Sequence, residues 1–197
     1  MHPKKQAICE VALQLLSSPS ENSRFTLQAI ADQLNIGKST IYEYFENKVQ
    51  IIEASLIYLI DQQFETLFND DSILEKPFEI AFKTHYQKVL DVNKENQSLQ
   101  TLMMHSDVAQ LPQENKENLL RKMHQSFVKT EKRLQDILAI GIKEKILDSP
   151  IEATQFHCIE SLIFGSIIAL AQPYNMWDHA QMIEAVYQNV IKLHNKT

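Results

Sequence analysis

Residues 26–45 read TLQAIADQLNIGKSTIYEYF, in which two apolar patterns flank a three-residue turn. The first pattern puts four apolar side chains on one helical face, at Leu27, Ile30, Ala31 and Leu34. Asn35 tolerates the left-handed conformation that ends a helix, and Gly37 accepts nearly any conformation. Ile41 and Phe45 then return to the same core. The segment therefore predicts two short helices, over 27–34 and 38–45, joined by a tight turn.

The outer face of the second helix is small and polar. We expect five side chains to face outward there, those of Lys38, Ser39, Thr40, Glu43 and Tyr44. The major groove of DNA is about 12 Å wide and accepts one helix with such a face. Two helices and a tight turn with this surface are typical of a helix-turn-helix. A plain helical hairpin fits less well because a core helix would not expose so many polar side chains, although Tyr42 could also be a core residue.

The letters GKST at 37–40 also resemble the end of a nucleotide-binding phosphate loop. That motif requires a second glycine five residues before Gly37, but Asp32 stands there, and no strand pattern precedes it. Nucleotide binding is therefore not expected.

Composition favours an all-α protein. The 197 residues are 44% apolar and include only 3 Gly, which excludes glycine-rich loops. Apolar periodicity and the proline positions predict about nine helices, over 4–16, 27–34, 38–45, 48–68, 77–92, 97–109, 113–146, 150–171 and 177–194. We expect residues 1–47 to form a helix-turn-helix DNA-binding domain and residues 48–197 a larger helical domain for ligand binding and dimerisation.

The net charge of −6 is unevenly distributed along the chain. Residues 1–50 carry five basic and five acidic side chains (5 − 5 = 0), and the remainder carries 14 − 20 = −6. Lys4 and Lys5 near the N-terminus are either solvated or phosphate contacts. A neutral N-terminal module with few lysines predicts weak non-specific DNA binding, so specific binding requires two modules acting together.

The two cysteines, Cys9 and Cys158, lack the spacing of a metal site or a disulfide framework, which suits a reducing compartment. The N-terminus contains Glu10 and does not read as a secretory segment. The longest apolar run, residues 162–171, is half of the roughly 20 residues that a bilayer span needs, and predicts a buried helix. A cytoplasmic location without membrane association is therefore expected.

The N-terminal segment resembles the DNA-binding module of the tetracycline-repressor (TetR) family. The resemblance covers about residues 5–52 and depends on TLQAIA at 26–31, IGKSTIYEYF at 36–45 and Lys48. The rest of the chain resembles the family only in the number and length of its helices. Asn35 stands where the family usually has Gly, and Ser39 where Gly or Ala is frequent. We expect both departures to change base preference and to retain binding.

The resemblance implies two sets of DNA contacts. Thr26, Tyr42, Tyr44 and Lys48 would bind phosphates. Gln28, Lys38, Ser39 and Thr40 would lie near the base edges.

Small residues recur every four positions on the helix near 150–171, at Ser161, Gly165 and Ala169. The resulting shallow groove is flanked by large apolar side chains and permits close helix packing. In the TetR family the last two long helices form the dimer interface, which implies contacts from 156–171 and 186–193. The interface candidates are Phe156, Ser161, Phe164, Gly165, Ile168 and Ala169. The alternative is that this helix is the centre of a monomeric core.

Aromatic, methionine and histidine side chains follow the middle helices. They can line an apolar ligand cavity, because methionine adapts to varied shapes, or they can simply form core. The ligand-binding candidates are Phe82, His85, Tyr86, Met103, Met104, Met123 and Phe127.

Together these features predict a ligand-responsive transcriptional regulator, a repressor that binds a palindromic double-stranded DNA operator as a homodimer and is released by a small apolar effector. A ligand-independent architectural DNA-binding protein is the alternative. An enzyme is not expected, because no histidine pair or Glu-x-x-His offers metal ligands and no nucleophile elbow is visible. No cofactor is expected. His157 and Glu160 form a single pair that we interpret as an exposed or interfacial bond.

Overall fold

The computed structural model describes residues 1–17, 25–148, 151–170 and 176–195, except for the side chains of 93–101, 103 and 104. Over these residues the chain is helical and contains no strand. The helices are α1 (Pro3–Ser17), α2 (Leu27–Leu34), α3 (Lys38–Tyr42), α4 (Lys48–Phe68), a 3-10 helix (Asp71–Glu75), α5 (Phe78–Met104), α6 (Ser106–Ala109), α7 (Gln113–Lys143), α8 (Ala153–Leu170) and α9 (His179–His194). The all-α prediction is confirmed.

Several helix predictions differ from the structure, and among them the helix predicted over 113–146 ends at Lys143. The helix predicted over 38–45 ends at Tyr42, and the backbone continues as a turn in which the N–H groups of Tyr44 and Phe45 both donate to the carbonyl of Ile41 at 3.0 Å. The separate helices predicted over 77–92 and 97–109 are wrong, because α5 continues to Met104 and only the short α6 follows it. The polar stretch 93–97 contains neither Pro nor Gly, so nothing in it interrupts the helical backbone. Ser149 and Pro150, at the start of the helix predicted over 150–171, lie outside the described residues.

The chain divides into two compact units. Unit 1 comprises Met1–Phe64 and Asn96–Ser126, and unit 2 comprises Glu65–Glu95 and Phe127–Thr197. Helices α4, α5 and α7 therefore each contribute residues to both units. A functional boundary at residue 47 remains a prediction.

Each unit has an apolar core. The core of unit 1 joins α1 to α4 with side chains from much later in the chain, among them Leu102, Val108, Leu111 and Leu119. The core of unit 2 combines aromatic side chains of α5 with aliphatic ones of α7, α8 and α9, including Phe78, Phe82, Tyr86, Leu138, Ile159 and Val190. Cys9 is buried in unit 1, and burial raises the pKa of its thiol.

Helix α8 is apolar but mostly exposed within the single chain. Its 18 residues have a mean hydropathy of 1.4, long and apolar enough to span a membrane by length and composition alone. Only 22% of it is buried, so the prediction of a buried helix is wrong for an isolated subunit. Its buried residues are Phe156, Ile159, Ser166 and Ile167.

Candidate nucleic-acid interface

Helix α2 is closed at both ends by specific hydrogen bonds. Thr26 precedes α2, and its side-chain oxygen accepts a hydrogen bond from the N–H of Ala29 at 3.1 Å. Asn35 ends α2 in the left-handed region at φ 51°, and the N–H of Ile36 donates to the carbonyl of Ala31 at 3.0 Å. Gly37 has an ordinary φ of −75°, so Asn35 alone provides the left-handed residue of the turn between α2 and α3.

Helix α3 is fixed to the core of unit 1 through its apolar side. Ile41 and Phe45 are buried beside Ile30, as the spacing predicts, and Leu34 packs against the same core. Phe25 is also buried in this core. No periodic pattern indicates Phe25, because this residue precedes α2 and lies outside its helical repeat.

The opposite side of α3 faces solvent. Lys38, Ser39 and Glu43 are exposed, and Tyr42 is 56% exposed, which rules out a core position for Tyr42. Thr40 and Tyr44 are predicted to face outward, but the structure exposes them only in part, because both side chains are half-buried. The ring of Tyr44 stacks on His2 with centroids 5.2 Å apart, so the residue that precedes α1 partly covers it.

Two further DNA-contact candidates lie on α2 or just before it. The Thr26 hydroxyl accepts the capping bond from Ala29, which leaves its own hydrogen available for donation to a phosphate. Gln28 is exposed, and its Nε2 donates to Oδ1 of Asp32 at 2.7 Å. To reach a base edge, Gln28 would have to exchange this intrahelical bond for one to DNA.

Lys48 begins α4 and is more constrained than the sequence indicates. Its Nζ lies 2.7 Å from Oδ1 of Asp107 on α6 and 5.0 Å from the ring centroid of Phe25. Sequence reasoning missed Asp107, because 59 residues separate it from Lys48. The Nζ of Lys5 similarly lies 5.0 Å from the ring centroid of Phe45, whereas Lys4 is exposed.

Three of the ligand-binding candidates lie together on α5 in unit 2. Phe82 and Tyr86 are buried, with Phe82 packed against Tyr187 at 5.9 Å between centroids and the Tyr86 hydroxyl hydrogen-bonded to Ser166. His85 is also buried, and its Nδ1 has no hydrogen-bond partner among the residues that the structure describes. Burial, with smaller contributions from the charges of Arg133 and Lys88, lowers the pKa of His85 to about 4.

The other ligand-binding candidates do not join this group. Met123 belongs to unit 1 and packs against its core, whereas Phe127 is 49% exposed. The side chains of Met103 and Met104 lie outside the described part of the chain. Phe82 and Tyr86 fit the alternative in which these side chains simply form the core of unit 2. His85 does not fit it, because burying a polar group without a hydrogen bond is unfavourable.

Most interface candidates on α8 are exposed. Ser161, Gly165 and Ala169 lie on the surface, together with Phe164 at 57% and Ile168 at 50% exposure. A Cβ atom added at Gly165 would meet no atom of the described part of the chain within 4 Å. Phe156 is different, because it is buried in the core of unit 2 and cannot contribute surface area to a partner. The exposed bond between His157 and Glu160 is present at 2.9 Å.

In unit 2, α9 offers fewer surface contacts than the range 186–193 suggested. Val186, Tyr187 and Val190 are core residues, whereas Leu193 is exposed. Among the residues described, no three His, Cys, Asp or Glu side chains come together as a metal site.

Comparison with known proteins agrees with this geometry. Residues 23–55 match the family model for the N-terminal region of bacterial regulatory proteins of the tetR family. No curated protein matches the sequence at a significant level.

Several solved structures share the fold over nearly the whole chain. A TetR family protein from Vibrio parahaemolyticus is 18% identical with a TM-score of 0.65, covering 98% of this chain and 100% of its own. A TetR transcription regulator from Haloarcula marismortui is 17% identical with a TM-score of 0.65, covering 98% and 97%. The TetR family regulator PfmR from Thermus thermophilus is 17% identical with a TM-score of 0.56, covering 96% and 99%. Residues 23–55 are thus a tetR-family helix-turn-helix module, and the chain has the fold of the TetR-family transcriptional regulators.

Proposed function

We propose that this protein is a transcriptional repressor that binds a palindromic operator as a homodimer and is released by a small apolar effector. The observation that carries the proposal is the solvent-facing side of α3. Its exposed Lys38, Ser39 and Tyr42 lie on a short helix that Ile41 and Phe45 hold against the core. A helix held in this way can enter the major groove without losing its own packing.

The resemblance to the TetR family implies the individual contacts, and the exposure of Lys38, Ser39 and Tyr42 supports them. Lys38, Ser39 and Thr40 would lie near the base edges, where short polar side chains permit close approach. Tyr42, Tyr44 and Lys48 would bind phosphates, as would the hydroxyl of Thr26. Gln28 is proposed as a base contact from α2.

The proposed dimer is formed through the exposed face of α8. Phe164 and Ile168 offer apolar area around Gly165, where the helix backbone is open to close approach. Large apolar patches on a soluble protein mark sites of association. A twofold pair of subunits would place two α3 helices in successive major grooves, about 34–36 Å apart.

The proposed effector binds in the helical body near His85 and tilts α4, which begins at Lys48 in unit 1 and ends in unit 2. To convert a population from 99:1 to 1:99, the effector must favour the released state by about 10⁴-fold, or about 5.5 kcal/mol. The protein would act in the cytoplasm, where the DNA is. Saturating effector that leaves operator binding unchanged would contradict this part of the proposal.

Binding to the DNA upstream of the protein's own coding region tests the function. We expect the purified protein to shift one palindromic fragment about 10³-fold more tightly than bulk competitor DNA at a stated salt concentration. Lys38→Ala should weaken this binding. Lys129→Ala is the matched control, because it removes the same charge from an exposed position on α7.

Three outcomes would contradict the proposal. Equal affinity for all fragments would favour the alternative, a ligand-independent architectural protein that uses the same module. If no duplex binds, or if Lys38→Ala and Lys129→Ala behave alike, α3 is not the reading helix.

A further inference from the structure

We infer that Asp107 competes with DNA phosphate for Lys48, so that α6 restrains DNA binding through one ion pair. The inference rests on the proposed function, because it requires that Lys48 contacts DNA. It adds a residue outside the helix-turn-helix, 59 positions from Lys48, to those that determine operator affinity.

The ion pair is well formed and accessible to solvent. Nζ of Lys48 lies 2.7 Å from Oδ1 of Asp107, with the two side chains 39% and 26% exposed. The same Nζ lies 5.0 Å from the ring centroid of Phe25, which is itself buried. The ammonium group is therefore held in one place, and part of its surface remains open to a second anion.

Asp107 is fixed by its local backbone. Its N–H donates to Nδ1 of His105 at 3.2 Å, and the N–H of Ala109 donates to the carbonyl of His105 at 2.9 Å. The next residue, Val108, is buried in the same core as Phe25. The core of unit 1 therefore anchors the backbone that carries this carboxylate beside Lys48.

This placement has an electrostatic consequence. A lysine already paired with a carboxylate presents little net charge to an incoming phosphate, and the carboxylate repels that phosphate within the roughly 8 Å range of unscreened interaction at physiological salt. DNA binding therefore exchanges one anion for another at Lys48. Partly exposed ion pairs of this kind are modest in strength, so we expect an effect of about two- to fivefold on affinity.

Asp107→Asn tests the inference because it removes the charge and keeps the shape. We expect it to tighten binding to the protein's preferred duplex about two- to fivefold. We also expect a steeper salt dependence, by up to about 0.9 in the slope of log K against log salt, because Lys48 then neutralises a phosphate without losing a partner. Thermal unfolding of the variant establishes that it is folded.

Asp61→Asn is the matched control. Asp61 pairs with Lys122 at 2.5 Å in the same unit, with side chains 53% and 30% exposed, so the variant has the same charge change in a similar pair. It should bind within about 1.5-fold of the wild type. In a Lys48→Gln background, Asp107→Asn should lose most of its effect, because the competing lysine is gone.

The outcomes separate the inference from the proposed function. If the wild type binds its duplex but Asp107→Asn binds equally well or more weakly, the inference alone fails. Equal tightening by Asp61→Asn also overturns it, since the cause is then net charge. If the wild type binds no duplex, the proposed function fails and the inference fails with it.

Discussion

His85 is a buried histidine whose lowered pKa leaves it uncharged at neutral pH, so the protonation of its side chain opposes folding. Its pKa is lowered from 6.5 to about 4, first by burial and then by the charges of Arg133 and Lys88. In the unfolded chain the imidazole takes up a proton below pH 6.5, whereas in the folded chain it does so only near pH 4. Stability is therefore lost as the pH falls through this window and is unaffected above it.

We predict that between pH 7 and pH 5 the wild type loses about 2 kcal/mol more unfolding free energy than His85→Gln, whose side chain does not titrate. Urea denaturation at the two pH values measures the difference. His124→Gln on α7 is the control, because His124 is exposed, and it should retain the pH dependence of the wild type. Equal pH dependence in His85→Gln and the wild type would show that His85 is not buried as a neutral group.

At the scale of the elements, Asn35 sets the end of α2. It adopts φ 51° and ψ 47°, a conformation that glycine and asparagine accept and that costs other residues about 1–2 kcal/mol. We predict that Asn35→Ala lowers the unfolding free energy by about 1 kcal/mol, whereas Asn35→Gly changes it by less than about 0.5 kcal/mol. Gln33→Ala, at an exposed position within α2, is the control. Denaturant unfolding that finds Asn35→Ala as stable as the wild type contradicts the prediction.

Helix ends that are set by contacts between neighbouring residues could be predicted from the sequence, whereas features that depend on residues far apart in the chain could not. The bounds of α2 and α4 agree with the prediction because Thr26 and Asn47 provide local caps, the latter accepting from the N–H of Gln50 at 3.0 Å. The absence of Pro and Gly from 93–97 permits a continuous α5, but this polar stretch has no apolar periodicity to indicate one, and no local signal places Phe25 in the core. The contact of Asp107 with Lys48 could not be predicted either, because only the folded chain brings these two residues together.

At the scale of the whole molecule, α8 provides a test of dimerisation that leaves the subunit intact. A Cβ atom at Gly165 meets no other atom of the described residues within 4 Å, so we expect a substitution there to fit within the subunit and to remove the helix penalty of glycine, about 1 kcal/mol. We predict that Gly165→Glu remains folded and raises the dimer dissociation constant at least about tenfold, because the twofold contact brings two carboxylates together. Sedimentation over a range of concentrations measures this.

Gln125→Glu introduces the same charge at an exposed position on α7 and should leave the dimer unchanged. If Gly165→Glu dimerises like the wild type, the contact lies elsewhere. A wild type that stays monomeric when concentrated would overturn the dimer itself.

The sharing of α4, α5 and α7 between the two units limits how the protein can be engineered. A fragment cut after residue 64 would lack Leu102, Val108, Leu111 and Leu119, which complete the core beneath the helix-turn-helix. The helix-turn-helix segment therefore cannot be transferred to another protein without these residues. A chimera that is designed to have the proposed operator preference must also include residues 96–126, because they complete the core of unit 1.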